Sequence, residues 1–86
     1  MSPEYDLLDH LLGEDYSLAF LCRLFDSKEH YCHSVMQMLV EGDVRLIDSE
    51  GNEVPKWKWR ELLTDTVDQQ TNYLLSITRK GIALVG

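Results

Sequence analysis

Basic residues are scarce in the first two thirds of this chain: residues 1–55 hold only Arg23, Lys28 and Arg45, against twelve acidic residues. Cysteine is limited to Cys22 and Cys32, and proline to Pro3 and Pro55. No apolar run approaches the ~20 residues of a membrane-spanning helix, and no charged-then-apolar leader opens the sequence. Each shortage excludes something. An acidic body is a poor general binder of polyanions. Two cysteines without a secretory leader make no disulfide framework, so both are expected as buried free thiols. With neither span nor leader, the chain is expected to stay in the cytoplasm. There is also no glycine-rich phosphate loop, no nucleophile elbow and no convincing Ser–His–Asp spacing, so an enzyme is not expected.

What remains is one ordinary globular domain, residues 1–86. Its 44% apolar and 27% charged content suits a folded core. At 86 residues it is large enough to bury roughly 60–65% of its unfolded surface. The charge changes sign along the chain. Residues 56–86 carry five basic residues (Lys56, Lys58, Arg60, Arg79, Lys80) against Glu61, Asp65 and Asp68, within a net charge of −7.

Helix signals come early. Ser2 as N-cap, Pro3 at the first helical position and Glu4 and Asp6 in the first turn predict a helix over about residues 3–12, stopped by Gly13. A second helix follows, capped by Asp15 or Ser17. Its two apolar stripes, Leu18/Leu21/Phe25 and Phe20/Leu24, predict burial between two neighbours. The third helix opens at Asp26, with Glu29 three residues on as a capping-box partner. Cys32, Val35, Met36 and Leu39 form its predicted core face, and His30, His33, Ser34 and Gln37 its polar one. Gly42 ends it.

Val44–Ile47 reads as a strand and 48–52 as a turn, with Glu53-Val54 pairing back. Pro55 begins a helix predicted to run to about Gln69, with Trp59, Leu62, Leu63 and Val67 on one side. Residues 73–78 read as a further strand, and Arg79–Val85 as a short helix capped by Thr78.

Three helices, a strand after Gly42 and a later strand leading into a short helix resemble the winged helix-turn-helix family. Residues 38–46, MLVEGDVRL, are similar to the end of a recognition helix passing into a wing. Residues 75–84, LSITRKGIAL, are similar to the "x-L-T-x-K-G-x-x-L" that closes many small winged-helix regulators. The resemblance spans nearly the whole chain. It implies an α+β winged-helix domain: three N-terminal helices, a short antiparallel β wing and a short C-terminal helix. Two departures stand out. Residues 49–71 insert an extra helix into the wing, and the helix expected in the major groove has lost its positive character.

The resemblance implies a transcriptional regulator that binds double-stranded DNA as a homodimer. Lys28, His30, His33, Ser34 and Gln37 would face the bases, and Lys56, Lys58, Arg60, Arg79 and Lys80 the phosphates. Of these, Lys28 alone brings positive charge to the third helix, whereas phosphate contact supplies most DNA affinity. The contrasting expectation is a protein-interaction module without DNA binding. Its contacts would be Trp57 and the acidic first helix, with Tyr5, Asp9 and the neighbouring Glu4, Asp6, Glu14 and Asp15. Trp59 is expected in the core. Trp57 is read either as an exposed contact or as a lid over that core. His30, Cys32 and His33 do not make a zinc site, since Cys32 points away from the histidine face of a helix. No cofactor and no membrane partner are expected.

Overall fold

The structure, a computed structural model, describes residues 2–86. Among these residues five α-helices surround a three-stranded antiparallel sheet. Helix α1 spans Pro3–Gly13 and opens as its sequence dictates: the Ser2 hydroxyl accepts from Tyr5 N–H, with Pro3 following it. Leu7, Leu8 and Leu11 are its buried stripe. Gly13 is the last helical residue, and the turn out of the helix falls at Glu14, whose backbone is extended.

The second helix departs from expectation. Strand β1, Tyr16–Ser17, comes first, then α2 over Leu18–Leu21 and a 3-10 turn over Cys22–Leu24. Of the two possible caps, Ser17 is the one used, accepting from Phe20 N–H. Leu18, Leu21 and Phe25 are buried, whereas Phe20 is exposed and stacks on Tyr16 at 4.7 Å. A two-residue strand has no readable periodicity. Its existence depends on the distant residues Leu74 and Leu75 that pair with it.

Helix α3, Lys28–Glu41, starts two residues later than Asp26, because Ser27 is its cap and accepts from His30 N–H. Asp26 reaches the His30 ring instead, at 3.2 Å. Gly42, at φ 82°, closes α3 in the left-handed conformation that glycine adopts without strain. The core face of α3 is Tyr31, Ser34, Val35, Met38 and Leu39, rotated from the predicted stripe so that Cys32 and Met36 flank it. At 3.6 residues per turn, position 34 lies at the edge of this face, about 40° from 38 and about 60° from 31, and a serine enters the packed face when a partner for its hydroxyl waits there. Both thiols are free and half-buried rather than fully enclosed, and burial raises the pKa of each.

Strands β2 (Val44–Asp48) and β3 (Tyr73–Ile77) pair in register, Val44 with Ile77 and Leu46 with Leu75, and β3 lies between β1 and β2. The turn after β2 uses Asp48, whose carboxylate accepts from the Glu50 and Asn52 N–H groups. Glu53 then bridges back to Ile47, and Val54 N–H donates to the Leu46 carbonyl.

The insert is not one helix. Pro55 stays extended and outside it, at ψ 150°. A 3-10 turn at Lys56–Lys58 leads into helix α4, Trp59–Leu62, and a second 3-10 turn follows at Val67–Gln69. Leu63 leaves helical backbone, and Thr64 and Thr66 bond to each other across the break. A Thr-Asp-Thr run competes for local hydrogen bonds and loses side-chain entropy in a helix, which explains the interruption. Val54, Leu62 and Val67 are buried in the common core. Helix α5, Arg79–Val85, is capped by Thr78 as its sequence predicts. A Cβ at Gly81 would collide with the Asp43 carbonyl, so glycine permits the close approach of α5 to the start of β2.

Candidate functional site

Helix α3 is held on two sides. Towards α1, the Glu4 carboxylate accepts from Ser34 Oγ at 2.7 Å and from His30 Nε2 at 3.0 Å. The other His30 nitrogen faces Asp26. A ring that donates to carboxylates at both nitrogens is the imidazolium, so the bond to Asp26, then that to Glu4, raises the His30 pKa. The Ser34 bond is the main cause of a lowered Glu4 pKa, and the His30 bond of a lowered Asp26 pKa. Ser34 is only 6% exposed.

Towards the insert, Lys28 pairs with Asp68 at 3.3 Å and donates to the Asp65 carbonyl at 3.0 Å. Cys32 Sγ lies 3.7 Å from the Thr64 carbonyl. Further along the same side, Met36 and Val40 face Lys56, Trp57, Trp59 and Arg60 across a groove of about 440 Å³. Trp59 packs against the core, and its indole N–H donates to the Val54 carbonyl at 3.1 Å. Trp57 is 72% exposed and Val40 59%. The groove beside α3 is thus lined by four apolar side chains and two cationic ones.

The sequence-predicted DNA residues are thereby scattered. Lys28, His30 and Ser34 are engaged with the insert or with α1. Lys80 donates to the Glu41 carbonyl at 2.7 Å, capping the end of α3, and lies 3.9 Å from the buried Asp43 carboxylate. Lys58 stands over the Tyr73 ring at 5.5 Å. Among the described residues, Lys56, Arg60 and Arg79 are exposed cations without an ion pair. The outward stripe left on α3 is Glu29, His33, Gln37 and Glu41, with no lysine or arginine in it.

The predicted protein-contact residues have another arrangement. Tyr5, Asp9 and Leu12 share the exposed face of α1, while Glu4 and Asp6 are half-buried. Glu14 and Asp15 extend that acidic surface beyond the helix. Of the groove lining, the sequence signalled Lys56, Trp57 and Arg60. Met36 and Val40 escaped notice, because Met36 fits the apolar stripe of α3 and a lone valine near a helix end carries no signal.

Among the described residues no three His, Cys, Asp or Glu side chains converge to hold a metal ion. In the same residues no helix is long and apolar enough to cross a membrane. No protein-family model matches the chain, and no curated protein or solved structure matches it.

Proposed function

We propose that this chain is a non-catalytic protein-interaction module of winged-helix type that docks a protein segment in the groove between α3 and the insert. The observation that carries it is Trp57, exposed across a groove from the equally unpaired Val40, with Met36 and Trp59 also lining it. Exposed apolar patches with polar rims are typical of docking surfaces, and Trp and Arg are the side chains that most often anchor them. The winged-helix assignment is supported by the order α1–β1–α2–α3–β2–α4–β3–α5, with α4 in the insert, and by the antiparallel pairing of β2 with β3.

A second function, DNA binding, draws support from Lys56 and Arg60 standing unpaired beside α3. Against it, the outward stripe of α3 presents Glu29 and Glu41 where phosphates would lie. Exposed ion pairs such as Lys28–Asp68 are weak, at about 0–1 kcal/mol, so phosphate competes for the lysine easily. The freed Asp68 carboxylate would then repel the same phosphate.

The test is a photo-cross-linker, p-benzoylphenylalanine, placed at position 57 and, as control, at exposed position 50 in the turn after β2. Irradiation in the producing cell is expected to give a discrete protein adduct from position 57 alone, lost when Lys56→Glu and Arg60→Glu are added. Equal labelling at both positions, or an adduct with DNA, would refute a protein-docking groove.

A further inference from the structure

We infer that the occupant of the Trp57 groove is helix α1 of a second copy of this chain, an inference that rests on the docking function proposed above. The groove asks for a particular surface. Its apolar lining, Met36, Val40, Trp57 and Trp59, requires apolar side chains, and its cations, Lys56 and Arg60, require negative charge. Few helical faces on the molecule offer both. On α1, Tyr5 and Leu12 are 37% and 43% exposed and lie on one face with Asp9 between them. Seven residues apart, they stand about 10 Å from each other along the axis, the i, i+4, i+7 pattern by which a helix seats in a groove. Glu14 and Asp15 follow immediately.

Helix α5 is the other one with two large exposed apolar side chains, Ile82 and Leu84, but Arg79 and Lys80 accompany them. That charge matches the sign of the groove's cations and repels them. The division of charge along the chain, acidic before residue 56 and mildly basic after it, thus becomes a division between two faces that complement one another.

Groove and α1 are different surfaces, so a contact made once per pair is head-to-tail, whereas a reciprocal exchange about a two-fold axis fills both grooves and closes at two. A heterologous contact leaves one groove and one α1 unfilled on every pair, and association continues into chains or closes into a ring. A C2 homodimer, by contrast, stops at two.

The decisive experiment uses charge exchange in the full-length protein. Sedimentation equilibrium of the wild type is expected to show self-association as concentration rises towards about 1 mM, closing at the dimer for reciprocal docking and passing beyond it for head-to-tail docking. Lys56→Glu with Arg60→Glu makes both surfaces acidic, and Asp9→Lys with Glu14→Lys makes both basic. Each double variant is expected to be monomeric by itself, and an equimolar mixture to associate again. In the purified wild-type background, the cross-linker at position 57 is expected to map onto residues 3–13 of another copy. A wild type that stays monomeric to the same limit, or a mixture that fails to associate, would overturn the second-copy occupant. If the position-57 adduct then still forms in cells with a different protein, the docking groove stands while its self-association falls. If no adduct forms in either setting, both fall.

Discussion

Tyr31 and His30 are neighbours on α3 with opposite kinds of bond. The Tyr31 ring is fully buried, its hydroxyl donates to the Leu18 carbonyl at 2.7 Å, and burial holds its proton far above the ordinary range for a phenol. Tyr31→Phe leaves the carbonyl with one partner fewer in the core. The expected loss is about 1–3 kcal/mol, read as a lower urea midpoint at unchanged slope. His30 is half-exposed, so its bonds to Asp26 and Glu4 act through pH rather than through bulk stability. A folded-state pKa raised above the ordinary value of about 6.5 means that the imidazolium stabilises the fold fully below that value. The contribution is lost as pH rises through the raised pKa. Glu4 and Asp26, with lowered pKa values, act in the opposite sense: their contribution is present above about pH 4.5 and lost as pH falls through the lowered values. The triad therefore holds best between these limits. His30→Gln is expected to flatten the fall in melting temperature expected of the wild type as pH rises above about 6.5. A His30→Gln protein with an undiminished fall would show that another group titrates there.

At the scale of elements, the insert decides how α3 is used. Its two tryptophans sit two residues apart and do different jobs. Trp59 packs on the core and satisfies the Val54 carbonyl, whereas Trp57 faces outward. Trp59→Ala is expected to cost roughly 3 kcal/mol and Trp57→Ala less than about 0.5 kcal/mol, compared by thermal unfolding. Equal losses would make Trp57 a core residue and remove the anchor of the groove. The alternation of Trp57 and Trp59 within a basic run was visible in the sequence. The break at residues 63–66 was not, because apolar spacing continues through it to Val67 while the backbone turns away to dock Val67 at α2. Gln70 completes that docking, its carbonyl accepting from Ala19 N–H at 3.1 Å.

For the whole molecule, charge distribution separates the two functions. A net charge of −7 repels a polyanion at long range, and among the described residues Lys56 and Arg60 are the unpaired cations that line the groove beside α3. Titration with random-sequence duplex DNA, followed by tryptophan fluorescence, is expected to show no saturable binding at physiological salt. Binding that is strong at low salt, falls steeply with added salt and disappears in Arg60→Glu would instead place DNA in the groove region, since each lost phosphate contact lowers the salt slope by about one.

What the amino-acid order determined by itself is the set of starts and stops: Ser2-Pro3 opening α1, Gly42 closing α3, the turn at Asp48–Asn52, and Thr78 capping α5. These signals act across four residues or fewer, so the partners are written next to each other. Tertiary structure alone decided that Ser34 turns inward to Glu4, that Lys28 and Lys80 are occupied, and that Tyr16–Ser17 is a strand. Those partners lie some 30 to 60 residues apart in the chain. A side chain such as Ser34, polar on a helix of mixed faces, has no inward or outward side until another helix supplies a carboxylate for it. The groove at Trp57 has the same origin, since its two walls meet only when the insert folds back along α3.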